Sequence, residues 1–152
     1  ITERLVGSEM CIRDRNDSVL PKMGRLAQGP MTMRLLPGEE LVGSLAMDVA
    51  ETDPTLLLVS RHGQMTRIDL TPLRRCQRGD LGMMAVHLSS DEDSVVGLCS
   101  GDVLAGIVTD QKRHGRLDAA AVELAAAGKA WGDQLTLDSN EQIVSVVALQ
   151  TL

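Results

Sequence analysis

The chain has no tyrosine and no phenylalanine, and its one tryptophan is Trp131. The first absence excludes a tyrosine nucleophile. Together they remove the row of aromatic rings on which single-stranded nucleic acid is usually stacked. A core without such rings must be filled by aliphatic side chains and by the eight methionines, which adapt to irregular gaps. No apolar run approaches the ~20 residues that span a bilayer, so no membrane partner is expected. The opening residues carry charge with no apolar segment behind it, unlike a secretory signal. The three cysteines, Cys11, Cys76 and Cys99, lack metal-ligand spacing and read as free thiols of a reducing cytoplasm. His62, His87 and His114 are equally scattered, and no metal site is assigned. Nucleophile-elbow, zincin and Walker motifs are all missing, so no catalytic residue is assigned either.

What the sequence does contain is a pattern that recurs. A glycine loop with a basic residue occurs as Met23 to Gly29, as Gln77-Arg78-Gly79-Asp80-Leu81-Gly82 and as Gly128 to Gly132. Gly29, Gly82 and Gly132 are 53 and 50 residues apart. Each loop leads into a short alternating segment, an acidic turn and a second short segment. A second element repeats at an offset of 49: Leu56 to Ser60 with Met65 to Leu70, and Ala105 to Thr109 with Arg116 to Asp118. Both copies read as hairpins of aliphatic strands around a polar loop holding glycine. A period near 50 with about four strands per copy is the signature of a propeller-like repeat. The expected fold is all-β, with about two and a half four-stranded blades: a partial blade at 16–50, a blade at 51–101 and a blade at 102–152.

Two segments depart from this rhythm. Residues 1–15 show no useful periodicity, and Ser8 to Arg15 is similar to translated sequencing-adapter sequence. They are set apart as a non-native or disordered tail, which makes the rest the C-terminal part of something longer. Residues 119–127, AAAVELAAA, have the composition of a short helix. Strands are expected at Met31 to Leu35 and at Leu41 to Met47.

The net charge is −6, from 15 basic and 21 acidic residues. That total alone opposes phosphate binding, but the charges are not spread evenly. Between positions 61 and 78 lie Arg61, Arg67, Arg74, Arg75 and Arg78 against the single acid Asp69. Lys112, Arg113 and Arg116 form a matching group on the second hairpin. Acids gather in other turns, at Glu39-Glu40, Asp91 to Asp93, and Asp138 with Glu141. Bases in one class of loop and acids in another predict a two-faced particle that can hold DNA on one side. The bland reading of each arginine is a solvated charge guarding a strand edge. Trp131 reads as a core anchor.

Hairpin, glycine-basic box and period together resemble the C-terminal domain of the A subunit of bacterial DNA gyrase and of its topoisomerase IV counterpart. The residues that carry the resemblance are Val59 to Arg67 for the hairpin and Gln77 to Gly82 for the box, with Met23 to Gly29 and Gly128 to Gly132 as degenerate boxes. It covers residues 16–152, and the loops look most like cyanobacterial gyrase A. The resemblance implies a β-pinwheel, a disc whose blades exchange strands and whose basic rim binds and bends double-stranded DNA. It implies DNA contacts from Arg61, Arg67, Arg74, Arg75, Gln77, Arg78, Gly79 and Gly82. Arg25, Arg34, Lys112, Arg113, Arg116 and Lys129 are implied as further contacts. Glycine in the box would let backbone N–H groups approach phosphate. It implies as partners the rest of the A subunit and a B subunit in an A2B2 complex. ATP and Mg would be used by that parent enzyme, and no cofactor is assigned to this part. Asp80 stands where the family's box has glycine or a base, so the resemblance implies a region that wraps DNA for supercoiling or, more weakly, steers it for strand passage. The competing reading is a propeller-type protein-interaction module.

Overall fold

The computed structural model describes residues 9–12, 23–28, 37–38, 40–47, 54–72, 83–90, 92–126 and 129–149. The strands among them are β1 (Glu9–Ile12), β2 (Thr55–Ser60), β3 (Gln64–Asp69), β4 (Met83–His87), β5 (Val95–Ser100) and β6 (Leu104–Thr109). They continue with β7 (His114–Asp118), β8 (Leu124–Ala125), β9 (Lys129–Ala130), β10 (Asp133–Gln134) and β11 (Ile143–Leu149).

The repeat read from the sequence is visible in the sheets. In one unit the hairpin β2–β3 takes β5 as an antiparallel neighbour of β2. In the next, the hairpin β6–β7 takes β11 on β6 in the same way. The strands after the second and third glycine loops leave their own units. β10 pairs antiparallel with β3 of the preceding unit, and β4 pairs antiparallel with β1. Short parallel strands then join on: β8 beside β3, and β9 beside β4. Thus β1, which has no periodicity of its own, is held by pairing to β4.

β2 explains why two units need each other. Its run TLLLVS alternates between two cores. Leu56 and Leu58 face a cluster with Ile68, Leu70, Ala85, Val86 and Val95. Leu57 and Val59 face a second cluster with Met65, Cys99, Ala105, Ile107 and Ile143. A strand buried on both faces has to be apolar throughout, and Leu56 to Val59 are all fully buried. Each such side chain contributes about 1.5–3 kcal/mol by leaving water. The second cluster joins the two units. There Gly97 lets the sheets close, since a Cβ at that position would lie 2.5 Å from Val146 Cβ. Cys99 belongs to this packing: burial, with the nearby Asp102 charge, pushes its thiol up to about 11. Trp131 packs against the first cluster, as expected of an anchor.

Two expectations are corrected. Residues 119–126, the described part of the segment expected to be helical at 119–127, do not form an α-helix. Ala119–Ala121 make one 3-10 turn, capped by the Asp118 carboxylate accepting from Ala120 N–H at 3.0 Å. Val122 then turns extended and buried, and β8 runs beside β3, where Arg67 N–H donates to the Glu123 carbonyl at 3.2 Å. So short a helix is marginal in isolation, and a strand edge with open backbone groups outcompetes it. Leu41 to Met47 is not a continuous strand either: only Ala46 forms a bridge, while Val42, Leu45 and Met47 pack onto the first cluster. Burial there follows the hydrophobic pattern without a full ladder. Met31 to Leu35 lie outside the described residues.

Candidate nucleic-acid interface

Each hairpin turn is tied down in the same way. In the first, Gly63 N–H donates to the Ser60 carbonyl at 3.1 Å, and the Ser60 hydroxyl accepts from Gln64 N–H at 3.0 Å. In the second, Lys112 N–H donates to the Thr109 carbonyl at 3.0 Å, and the Thr109 hydroxyl accepts from Arg113 N–H at 3.3 Å. Gly63 and Lys112 hold the same left-handed position, with φ of 87° and 62°. Glycine adopts it freely, whereas lysine adopts it at a cost.

A buried acid then locks each turn to the loop preceding the unit's last strand. Asp93 accepts from His62 N–H at 3.1 Å and from Ser94 N–H at 2.8 Å. In the second unit Glu141 accepts from the Thr109 hydroxyl at 2.6 Å and from Asp138 N–H at 3.0 Å. Arg113 reaches the same carboxylate at 2.7 Å and Asp138 at 2.6 Å. The Thr109 hydrogen bond, then that from Asp138 N–H and the Arg113 charge, hold the Glu141 carboxyl below the usual range, against the opposing effect of burial. These acids were read from the sequence as a separate acidic face. The signal that they are clamps was a repeated one: Ser60 with Asp93, and Thr109 with Glu141, at nearly the same spacing.

One peptide group strings the two turns together. The Gln142 carbonyl accepts from Asp110 N–H at 2.9 Å, and Ile143 N–H donates to the Arg61 carbonyl at 2.9 Å. Both atoms belong to the peptide joining residues 142 and 143. The basic turns of successive units therefore sit on either side of a single peptide. Arg61 and Lys112 are exposed there and make no ion pair among the described residues. Asp93, Asp138 and Glu141 lie at this same end, so at these two turns acids stand among the bases.

The remaining candidates divide. Arg116 is exposed on β7, and Arg25 and Lys129 are exposed elsewhere. Arg113 is engaged with Asp138 and Glu141. Arg67 is half-buried, with Nη1 3.4 Å from the Gly101 carbonyl and Nε lacking a partner among the described residues. Arg34, Arg74, Arg75, Gln77, Arg78, Gly79 and Gly82 lie outside the described residues, as do Gly29 and Cys76. Among the described residues no cluster of acids, histidines and cysteines could hold a metal, and no helix is long and apolar enough to cross a membrane.

The architecture defines a class: repeated antiparallel sheets in which a strand of one unit completes the sheet of another. Solved structures share it over nearly the whole chain. The C-terminal domain of DNA topoisomerase IV superposes with a TM-score of 0.77 at 16% identity, over 99% of this chain and 47% of that one. The DNA gyrase A C-terminal domain gives 0.75 at 25% identity, over 95% and 49%. The E. coli ParC C-terminal domain gives 0.66 at 15%, over 97% and 61%. The chain has the β-pinwheel fold of these domains, and it spans about half the length of the first two. No family model matches the sequence, and no curated protein matches it.

Proposed function

We propose that this chain is part of the DNA-binding C-terminal region of a type IIA topoisomerase A subunit, and that it holds duplex DNA without sequence preference to guide strand passage. The observation that carries this reading is the likeness to gyrase A and topoisomerase IV C-terminal domains over 95–99% of the chain. The row made by Arg61 and Lys112 supports it, because phosphate contact needs unpaired cations at successive positions. The glycine-basic box at 77–82, with Arg74 and Arg75 before it, extends the same logic. Blades at 51–101 and 102–152 follow a partial blade at 16–50. The parent is an A2B2 complex of the cytoplasm that uses ATP and Mg in its other parts. The acids interleaved with the bases favour a guiding contact over tight wrapping, since they lower the local positive potential.

The test is an anisotropy titration of the chain with a short DNA duplex at low and moderate salt. Beside it runs an Arg74→Ala/Arg75→Ala/Arg78→Ala variant, with circular dichroism as the control for folding. Binding that ignores sequence, weakens with salt and falls in the variant is the expected result. A folded chain that binds no duplex at low salt would overturn the reading in favour of a protein-interaction module.

A further inference from the structure

Two residues of the second unit depart from the repeat together. In each unit a tight turn precedes the last strand. Asp93 N–H donates to the Ser90 carbonyl at 3.1 Å in the first, and Glu141 N–H to the Asp138 carbonyl at 3.0 Å in the second. The Ser90 hydroxyl serves its own turn, accepting from Glu92 N–H at 3.1 Å. Asp138 holds the matching position, where an aspartate commonly bonds its own turn. Its carboxylate instead accepts from Arg113 Nη1, 25 residues away in sequence, at 2.6 Å. Arg113 in turn stands where the first unit has Gln64, whose amide donates to the Ser89 hydroxyl at 2.8 Å. The two acids on Arg113 are not alike. The Glu141 side chain is fully buried and is also held by the Thr109 hydroxyl and by Asp138 N–H. The Asp138 side chain is 71% exposed, and Arg113 is the one partner of its carboxylate among the described residues. The turn uses the backbone of Asp138 and leaves its side chain free to let go.

We propose that Asp138 competes with the DNA backbone for Arg113: it occupies the guanidinium in the free chain and gives way to a phosphate of the bound duplex. The inference rests on the DNA reading above and adds a regulation of that site. Guanidinium takes carboxylate and phosphate in the same fork geometry, so the exchange needs no change of backbone. One cation already faces two carboxylates, so a phosphate gains Arg113 only where one of them withdraws. Glu141 is fixed by burial and by its other donors, whereas an exposed pair such as Arg113–Asp138 is weak. Arg113 is itself 54% exposed and adjoins the unpaired Lys112, so the freed guanidinium extends the cation already there. At the first turn Arg61 is exposed and makes no ion pair among the described residues. One basic turn is thus open from the start, and the other gains its second cation only as DNA arrives.

The test is a double-mutant cycle on the whole chain, with affinity for a labelled short duplex read by anisotropy at one low salt concentration and folding checked by circular dichroism. Asp138→Asn keeps the size of the side chain and both backbone bonds of the turn. It should tighten duplex binding about twofold to fivefold, the range of an exposed ion pair. That gain should vanish in the Arg113→Gln background, where no guanidinium is left to release. Asp110→Asn is the control for charge alone. Asp110 is exposed in the same basic turn, and its carboxylate accepts from Gln142 N–H at 3.0 Å and makes no ion pair with Arg113. It should gain less than Asp138→Asn, and this comparison carries the test if Arg113→Gln does not fold. Equal gains from the two asparagine substitutions, or a gain undiminished in the Arg113→Gln background, overturn the proposal. Duplex binding by the native chain with no gain in Asp138→Asn overturns it and leaves the DNA reading standing. Absence of duplex binding in the native chain and in Asp138→Asn alike overturns both.

Discussion

The two hairpin turns share one backbone plan and differ in what rests on them. At the first turn the next unit is in contact. An added Cβ at Gly63 would lie 3.1 Å from Leu137 Cδ1 and 3.2 Å from the Leu135 carbonyl oxygen, and Leu135 N–H donates to the Gly63 carbonyl. At the second turn Lys112 occupies the left-handed position and is exposed. Glycine is demanded at the first turn, where a unit docks, and lysine stands at the second, where no unit docks among the described residues. The clamps differ in parallel. Asp93 faces His62, with Nδ1 at 3.6 Å, while Glu141 faces Arg113 and the Thr109 hydroxyl. A position's identity within the repeat thus follows its neighbour and not the backbone alone.

Making the first turn resemble the second should have the largest effect. Gly63→Lys combines left-handed strain with a clash at the docked unit, and we expect a loss of about 2–4 kcal/mol in a denaturant titration. The reporter is Trp131 fluorescence. The join itself is the next most sensitive place. Gly97→Ala drives a Cβ into Val146 and should cost about 1–3 kcal/mol. Removing the second clamp comes third. Glu141→Gln should lower the melting temperature by less than either glycine substitution, and its effect should depend on pH. Because the folded carboxyl is held low, its stabilisation is present above the usual carboxylate range and is lost as pH falls through and below that range. Melting curves of the variant should therefore flatten against acidification relative to the native chain. Making the second turn resemble the first is the smallest change. Lys112→Gly relieves the left-handed position and should stabilise by about 1 kcal/mol or less. A destabilising Lys112→Gly would mean that the lysine side chain has a stabilising role at that turn.

Much of this comparison was legible beforehand. The aliphatic run at 55–60, the glycine of the first turn and the 49-residue offset place both hairpins correctly, because strand pattern and turn chemistry are local properties. Strand exchange was implied by family resemblance alone. It depends on which edge has open backbone groups, a property no window of sequence contains. The same cause overrode the helix expected at 119–127, where pairing to β3 outweighed alanine propensity. The candidate site was legible in residue type and less so in role. Arg61 and Lys112 stand exposed in the turns, but nothing local to Arg113 announces Glu141, 28 residues further on. Arg67 and Arg116 share a repeat position, yet one is half-buried beside β8 of the next unit and the other is exposed, with only the first covered by another unit among the described residues.

The central claim is that successive units offer their basic turns to one duplex. The most direct measurement is the salt dependence of duplex affinity for the native chain and for Arg61→Ala, Lys112→Ala and the double variant. Each lost phosphate contact should lower the slope of log K against log salt by about 0.9, and the double variant should lose about twice that. An unchanged slope in the folded double variant would contradict the account.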